Sequence, residues 1–254
     1  MALHPLSPLG ALLGAVLGLI VGSFLATVAR RAGEGRSAMR GRSACDRCDA
    51  TLRAAELVPV VSWALQRGRC RRCGVRIDPI HPAVELAAAL AGALALGVSP
   101  DAVGISGAVF GWGLILLAAL DLRHFWLPNR GTLPLAVLGL GASAAGGVGL
   151  TDRLIGLAVG YAGLEAVRLL YARVRGRAGL GGGDPKLFGA IGAWLGWAAL
   201  PGVLLGAGLL GLGVALVLRV RGHAVGATTR LPFGALLAPA GFAAWLFAAA
   251  ATRL

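Results

Sequence analysis

The sequence predicts an all-α polytopic membrane protein of about eight transmembrane helices, with a cytoplasmic zinc-ribbon-like loop. Three observations predict it. Long Leu/Ala/Val/Gly runs recur along the 254 residues, several near the ~20 residues needed to cross hydrocarbon. The chain is 57% apolar and only 14% charged, too few charges to cover a soluble domain of this size. Finally, arginines gather between the apolar runs rather than within them.

The expected spans are 9–29, 83–98, 102–120, 132–150, 153–171, 186–199, 202–218 and 232–250. Glycine and proline inside such runs are tolerated in membrane helices. The first run lacks a preceding cationic segment and a small-residue cleavage site, and Arg30 and Arg31 follow it. It therefore reads as a retained first span rather than a secretory signal. Short loops rich in Lys and Arg mark the cytoplasmic side. Segment 30–82 holds a dozen arginines, and 121–131, 172–184 and 219–230 hold nearly all the others. The opposite connections, 99–101 and 200–201, have no basic residue, and only Arg153 and Arg253 fall on that side. One orientation satisfies this alternation: N-terminus outside, large loop inside. The chain divides into a first helix (1–29), a cysteine loop (30–82) and a membrane core (83–254).

All four cysteines lie in that loop, as CDRC (Cys45, Cys48) and CRRC (Cys70, Cys73). Two C-x-x-C pairs at this separation match a tetrathiolate zinc ribbon. A metal folds a loop too small to build its own core. Disulfides are the competing account, and a cytoplasmic, reducing location weighs against them. Four thiolates leave no open position, so the expected zinc is structural. His81 is not expected to be a ligand.

The formal charge of +13 raises the question of nucleic acid. Yet no aromatic residues interleave Arg67, Arg69, Arg71 and Arg72. Anionic lipid headgroups and topology explain them with less, so membrane lipid is the expected partner and nucleic acid is not.

Ionisable groups at membrane depth are costly and mark function by default. Asp121 ends LILLAALD, and Asp184 follows the glycines of GLGGGDPKL; both land at cytoplasmic helix ends. Two carboxyls brought together in an apolar site cannot easily both ionise. One keeps a proton while the other activates water, the chemistry of aspartic proteolysis. Glycines let a backbone approach a ligand closely, so an extended substrate is expected beside Gly181 and Gly183. Lys186, the only lysine, falls at the membrane surface near the acid. An N-cap role competes for Asp184, and simple interfacial solvation competes for Asp121. The glycine run lacks the Lys-Ser/Thr of a nucleotide loop. A rival reading is a small transporter that uses the aspartates as a proton or cation relay. Elsewhere, Glu165 and Arg168 are spaced for an intrahelical ion pair. Glu85 reads as a helix-start acid at the positive dipole end, and Asp101 and Asp152 as further helix starts.

The ordered set of motifs resembles the type IV prepilin peptidases, G-x-G-D membrane aspartic proteases. It comprises GLIVGSFL (18–25), the two cysteine knuckles with VPVVSW (58–63) and RGRC (67–70), HPAVEL (81–86), DLRHFWLPN (121–129), GLGGGDPKL (179–187) and LPFG (231–234). The resemblance implies catalytic roles for Asp121 and Asp184. It implies cleavage of a type IV prepilin or pseudopilin leader on the cytoplasmic side of the bacterial inner membrane. It implies zinc at Cys45, Cys48, Cys70 and Cys73. Many members also methylate the new N-terminus with S-adenosylmethionine. Here the chain departs from the pattern: Ala26 and Leu57 stand where methylating members often have Asn, and Ile80 and His81 replace a cation and a Tyr. Methyl transfer is therefore left open.

Overall fold

The computed structural model describes residues 6–32, 42–145, 147–177, 179–224, 226 and 229–252. Arg36, Arg40 and Arg253, counted above as topology signals, lie outside them. The described chain is almost wholly helical. Its helices are α1 (Pro8–Ala32), α2 (Val61–Leu65), α3 (Ile80–Val98), α4 (Ala102–His124), α5 (Asn129–Gly141), α6 (Leu150–Arg175), α7 (Asp184–Leu195), α8 (Leu200–Val220) and α9 (Phe233–Ala251). Apart from the short α2, each falls on an expected span.

Six of these helices are long and apolar enough to cross a bilayer: α1, α3, α4, α6, α8 and α9, with α8 counted from Trp197. The expected spans 132–150 and 186–199 are realised differently. Helices α5 and α7 have 13 and 12 residues, about 20 and 18 Å at 1.5 Å per residue. A bilayer core is about 30 Å thick. After Gly141, α5 gives way to a 3₁₀ turn. Helix α7 stops at Gly196, whose φ of 76° suits a residue without Cβ. Every residue of α7 except Lys186 is buried. It is a core helix, apolar all round because protein surrounds it.

Small residues hold the bundle together. In α1, Gly10, Gly14, Gly18 and Gly22 form one buried row facing α3. A Cβ added at Gly14 would lie 2.1 Å from the Gly92 carbonyl oxygen, so only glycine allows this approach. Between lipid-immersed helices there is no hydrophobic drive, and such close backbone packing replaces it. The α6–α7 seam is similar: a Cβ at Gly192 would lie 2.2 Å from the Gly156 oxygen. Larger side chains fill the centre, where Phe110 of α4 stacks on Trp194 of α7 at 4.8 Å between ring centroids. Leucines of α1, α6 and α8 remain exposed, as lipid-facing surfaces should be.

Arg153, the exception in the topology count, is buried. Its Nε donates to the Val148 carbonyl at 2.9 Å, and its Nη1 to those of Gly139 (2.8 Å) and Ala193 (3.2 Å). The guanidinium thus ties the far ends of α5, α6 and α7 by satisfying carbonyls left free there. Asp101 caps α4 through the N–H groups of Val103 and Gly104. The Glu165–Arg168 pair forms as spaced, with Arg168 Nε donating at 2.8 Å. Asp152 lies in the first turn of α6 and accepts from Trp197 Nε1 at 3.1 Å. Glu85 departs from its expected place. Helix α3 begins at Ile80, so Glu85 sits more than a turn inside it, buried. Its Oε2 accepts the Val60 N–H at 2.7 Å, which anchors the cysteine loop to the bundle. Val60 has φ 60° and ψ −49°, a costly conformation for a β-branched residue.

Candidate active site

Asp121 lies in the last turn of α4, one turn before Phe125 ends the helix in the left-handed region at φ 49°. A carboxylate there opposes the helix dipole; its partner comes from elsewhere. The first turn of α9 points its free N–H groups at it, and Ala235 N donates to Asp121 Oδ2 at 3.0 Å. A Cβ on Gly234 would lie 3.0 Å from that same oxygen, so glycine is needed for α9 to come so near. The LPFG motif therefore serves the acid of a helix more than a hundred residues upstream.

Asp184 begins α7, but no side-chain cap forms there. Instead its Oδ2 accepts the N–H of Gly181 at 2.9 Å, folding the glycine turn back onto the carboxyl. Both aspartates are buried as residues, each 5% exposed, and their carboxyls line one open cavity of about 860 Å³. Gly234 packs directly against the Asp121 carboxyl. The two acids meet at one end of the bundle, not at its midplane.

Gly181, Gly182, Gly183 and Lys186 line the same cavity, with Arg130 and Arg230. A Cβ at Gly183 would lie 2.5 Å from Leu127 Cβ, whereas Gly182 meets nothing within 4 Å. Gly183 is thus required by packing, and Gly182 leaves open space on the cavity wall. Lys186 Nζ donates to Asn129 Oδ1 at 2.7 Å, joining the two aspartate motifs across the mouth of the site.

The cysteine loop lies at the same end of the bundle. Its two knuckles share a local design. Cys45 N donates to the Ala50 carbonyl and Cys70 N to that of Val75; Asp49 and Gly74, each four residues after the first cysteine, donate back to it. Both turn residues have positive φ, 50° and 70°. All four cysteines are free, and their sulfurs fall within 4.8 Å of one another. Cys45 and Cys73 sulfurs are 3.8 Å apart, beyond a disulfide's length. The N–H groups of Cys73 and Arg72 draw the Cys70 thiol down to about 7, readying it as a thiolate. Cys73 is driven up to about 11: the Val75 N–H pulls the other way but is outweighed by desolvation and the neighbouring thiols. A cation between the sulfurs would relieve that conflict, so the donor set fits a metal ion.

A second cavity, about 620 Å³, lies between this loop and the ends of α1 and α3. The carboxylates of Asp46, Glu56, Asp78 and Glu85 line it, with Trp63. Trp63 Nε1 is buried without a hydrogen-bond partner, the single such side-chain atom among the described residues. Sequence reasoning missed this cavity. The only signal for it was that Glu56, Trp63 and Glu85 fall in or beside motifs already singled out.

The chain is similar to known proteins over most of its length. Residues 16–98 match the bacterial peptidase A24 N-terminal domain, and residues 108–216 match the type IV leader peptidase family. A prepilin leader peptidase/N-methyltransferase of Aeromonas hydrophila is 39% identical over 84% of this chain and 73% of its own length. Its counterpart from Burkholderia pseudomallei (strain 1026b) is 44% identical over 81% and 67%. That of Pseudomonas aeruginosa is 40% identical over 83% and 73%. No solved structure matches. With both family matches in order along the chain, and relatives at this identity over most of it, the protein belongs to the type IV leader peptidase family.

Proposed function

We propose that this protein is a membrane aspartic endopeptidase that removes the leader peptide of type IV prepilins or pseudopilins, with Asp121 and Asp184 as its catalytic pair. One observation carries the assignment of residues: two aspartates 63 positions apart line a single cavity at one end of the bundle. One carboxyl, ionised, takes a proton from water; the other, protonated, donates to the scissile carbonyl. The hydroxide adds to the carbon, and the tetrahedral intermediate expels the amine, which leaves with a proton from the pair. The amides of Gly234 and Ala235 hold the Asp121 carboxyl toward the cavity. Gly181 and Gly183 border the path of the extended substrate, and Lys186 engages its polar segment. The substrate's apolar helix stays in lipid beside the bundle.

The relay of a transporter requires acids near the bilayer midplane; the family and the position of the pair both speak against it. The arginine distribution supports an inner-membrane orientation with N-terminus outside and the cysteine loop and both aspartates on the cytoplasmic side. In this reading, 1–29 anchors the loop, 30–82 binds zinc through Cys45, Cys48, Cys70 and Cys73, and 83–254 forms the peptidase core. Zinc serves to fold the loop.

The second cavity favours methyl transfer as an added activity. Its carboxylates suit a sulfonium and an ammonium group, and Arg30, Arg31, Arg47 and Arg76 on its wall suit a carboxylate. S-adenosylmethionine supplies an electrophilic methyl group when bound. Leu57 and His81, two of the departures from the methylating pattern, lie on this cavity's wall.

The test is incubation of purified protein with a prepilin, reading the product's new N-terminus and mass. Wild type should cut, and with S-adenosylmethionine should add one methyl group. Asp121→Asn and Asp184→Asn should each stop cutting. Normal cleavage by either variant overturns the pair.

A further inference from the structure

The catalytic turn of α4 and the cysteine loop are joined by a run of charged groups. Arg123 stands two residues after Asp121, and its Nη1 donates to Asp78 Oδ2 at 2.7 Å. Asp78 precedes α3, and its Oδ1 accepts the Ile80 N–H at 3.0 Å. The Asp78 carboxyl also faces Arg30 Nε at 3.8 Å. Arg30 Nη2 in turn reaches Asp46 Oδ2 at 3.4 Å. Asp46 lies between Cys45 and Cys48, in the first knuckle.

These are not loose surface pairs. The Arg123, Asp78 and Arg30 side chains are only 30%, 26% and 22% exposed, and the Arg123–Asp78 contact is a short charge-assisted bond; Asp46, at the knuckle end, is 37% exposed. An arginine that served only as a topology signal would need no such partner. Other contacts close on the same turn: Phe125 N donates to the Asp121 carbonyl at 2.9 Å, and the His124 ring lies 3.4 Å from the Ala29 carbonyl. The last turn of α4 is thus fixed to α1, to the start of α3 and, through Asp78 and Arg30, to a cysteine knuckle.

We propose that Arg123 is a positioning residue for Asp121, and that the Arg123–Asp78–Arg30–Asp46 chain makes cleavage depend on metal occupancy of the cysteine loop. The proposal rests on the reading of Asp121 as catalytic. Loss of the metal loosens the knuckle, frees Asp46 and Arg30, and leaves Asp78 and Arg123 unable to hold the catalytic turn. The metal takes no part in bond breaking.

The experiment uses full-length protein in detergent, zinc-loaded or treated with chelator. It reads prepilin cleavage and amide hydrogen exchange across residues 121–127. Arg123→Gln and Asp78→Asn should each lower kcat by roughly tenfold to a hundredfold, as expected for a misplaced catalytic group, with KM little changed. Exchange at 121–127 should rise in both. The double variant should be no worse than either single one, because one link is broken either way. Arg123→Lys should recover most of the rate, which shows that a failure to fold is not the cause. Chelation should give wild type the same slow rate and fast exchange, and should add nothing to Arg123→Gln.

Wild-type exchange and kcat in Arg123→Gln would overturn the positioning role. Equal fold-losses on chelation in wild type and Arg123→Gln would overturn the coupling, as would purified protein that binds no metal. Should Asp121→Asn cleave normally, the catalytic reading fails instead, and the exchange arm still decides whether the tie exists.

Discussion

Two cavities open at the same end of this molecule, and they are built in opposite ways. The aspartate cavity is made from helix ends: the last turn of α4, the first turns of α5, α7 and α9, and the glycine turn between α6 and α7. Asp121 is held by an amide in the first turn of α9 and Asp184 by an amide of the glycine turn. The second cavity is walled chiefly by a loop with two short helical segments, which meets the bundle at α1 and α3. Two of the four clustered thiols, Cys45 and Cys70, line it, and polar ties such as Glu85 to Val60 fix the loop to the bundle. The difference teaches which activity each part can support. Preorganised helix ends suit a reaction that needs carboxyls held in place. A loop of short segments around a cluster of four thiols that could hold a metal ion suits binding of a separate small molecule.

The largest expected effect tests that separation directly. Asp121→Asn or Asp184→Asn should lower leader cleavage by about 10³-fold or more, the scale of lost general acid–base catalysis. S-adenosylmethionine binding, followed by equilibrium dialysis, should be unchanged in both variants. Loss of binding in either would mean that the two cavities are one site. Next in size is the loop. Cys70→Ser removes one of the four proposed zinc ligands and should cost most of the zinc that elemental analysis finds in wild type. S-adenosylmethionine binding should fall with it, because the wall that carries Cys45, Asp46 and Cys70 is gone. Cleavage should fall but persist. A variant that loses zinc and keeps full ligand binding would show that the cavity does not need the knuckles.

Much of this architecture is legible in the sequence, and the exceptions have physical causes. Hydropathy located eight helices, but it cannot tell a span from a buried short helix, because both are apolar; α7 is the instance. Arginine counting suggested an orientation for the bundle, yet it treated Arg153 as an exception when three carbonyls hold it inside the protein. Gly10, Gly14, Gly18 and Gly22 stand four residues apart, yet nothing in the sequence marks them as a seam, because their partner on α3 lies far along the chain. Asp121 and Asp184 stood out as costly charges. What held them did not, since the amides of Gly234 and Ala235 come from a distant segment and backbone groups leave no trace in residue type. Cys-x-x-Cys spacing pointed to four ligands on one ion. Glu85 carried no signal of its anchoring role, because an acid near a helix start has a simpler explanation.

A smaller effect probes the seam between the two regions. Glu85→Gln keeps the size of the side chain but puts an amide against the Val60 N–H. Glu85→Ala removes the acceptor and leaves the half-buried N–H of the strained Val60 without its partner, at about 1–3 kcal/mol. Gly14→Leu should cost a similar or larger amount in the bundle itself, since overpacking of a close seam costs about 1–3 kcal/mol or more. The two should differ in where the damage appears. Proteolysis of the Glu85→Ala protein should open the cysteine loop first, with the helices intact. Gly14→Leu should lower the unfolding temperature of the whole membrane part. Identical cleavage patterns in the two variants would erase the distinction between a detachable loop and a continuous bundle.

The least effect is one of pH, and it falls on Asp78, where the two regions meet. Burial pushes this carboxyl up, but the Ile80 N–H and the Arg123 guanidinium outweigh it and hold it below its ordinary value, which is near 3.9. A group depressed in the folded state adds stability that is fully present above its unfolded value and fades as pH falls through the folded one. The window therefore lies below about pH 4. Between pH 5 and 8 the gap in loop protection between wild type and Asp78→Asn, read by hydrogen exchange at 121–127, should be constant. Below about pH 4 it should close, because protonated Asp78 holds Arg123 no better than asparagine does. A gap that stays level down to pH 2.5 would mean that the contact between the regions does not rest on the charge of Asp78. The link between the loop and the last turn of α4 would then have to run through the His124–Ala29 contact and the helix packing alone.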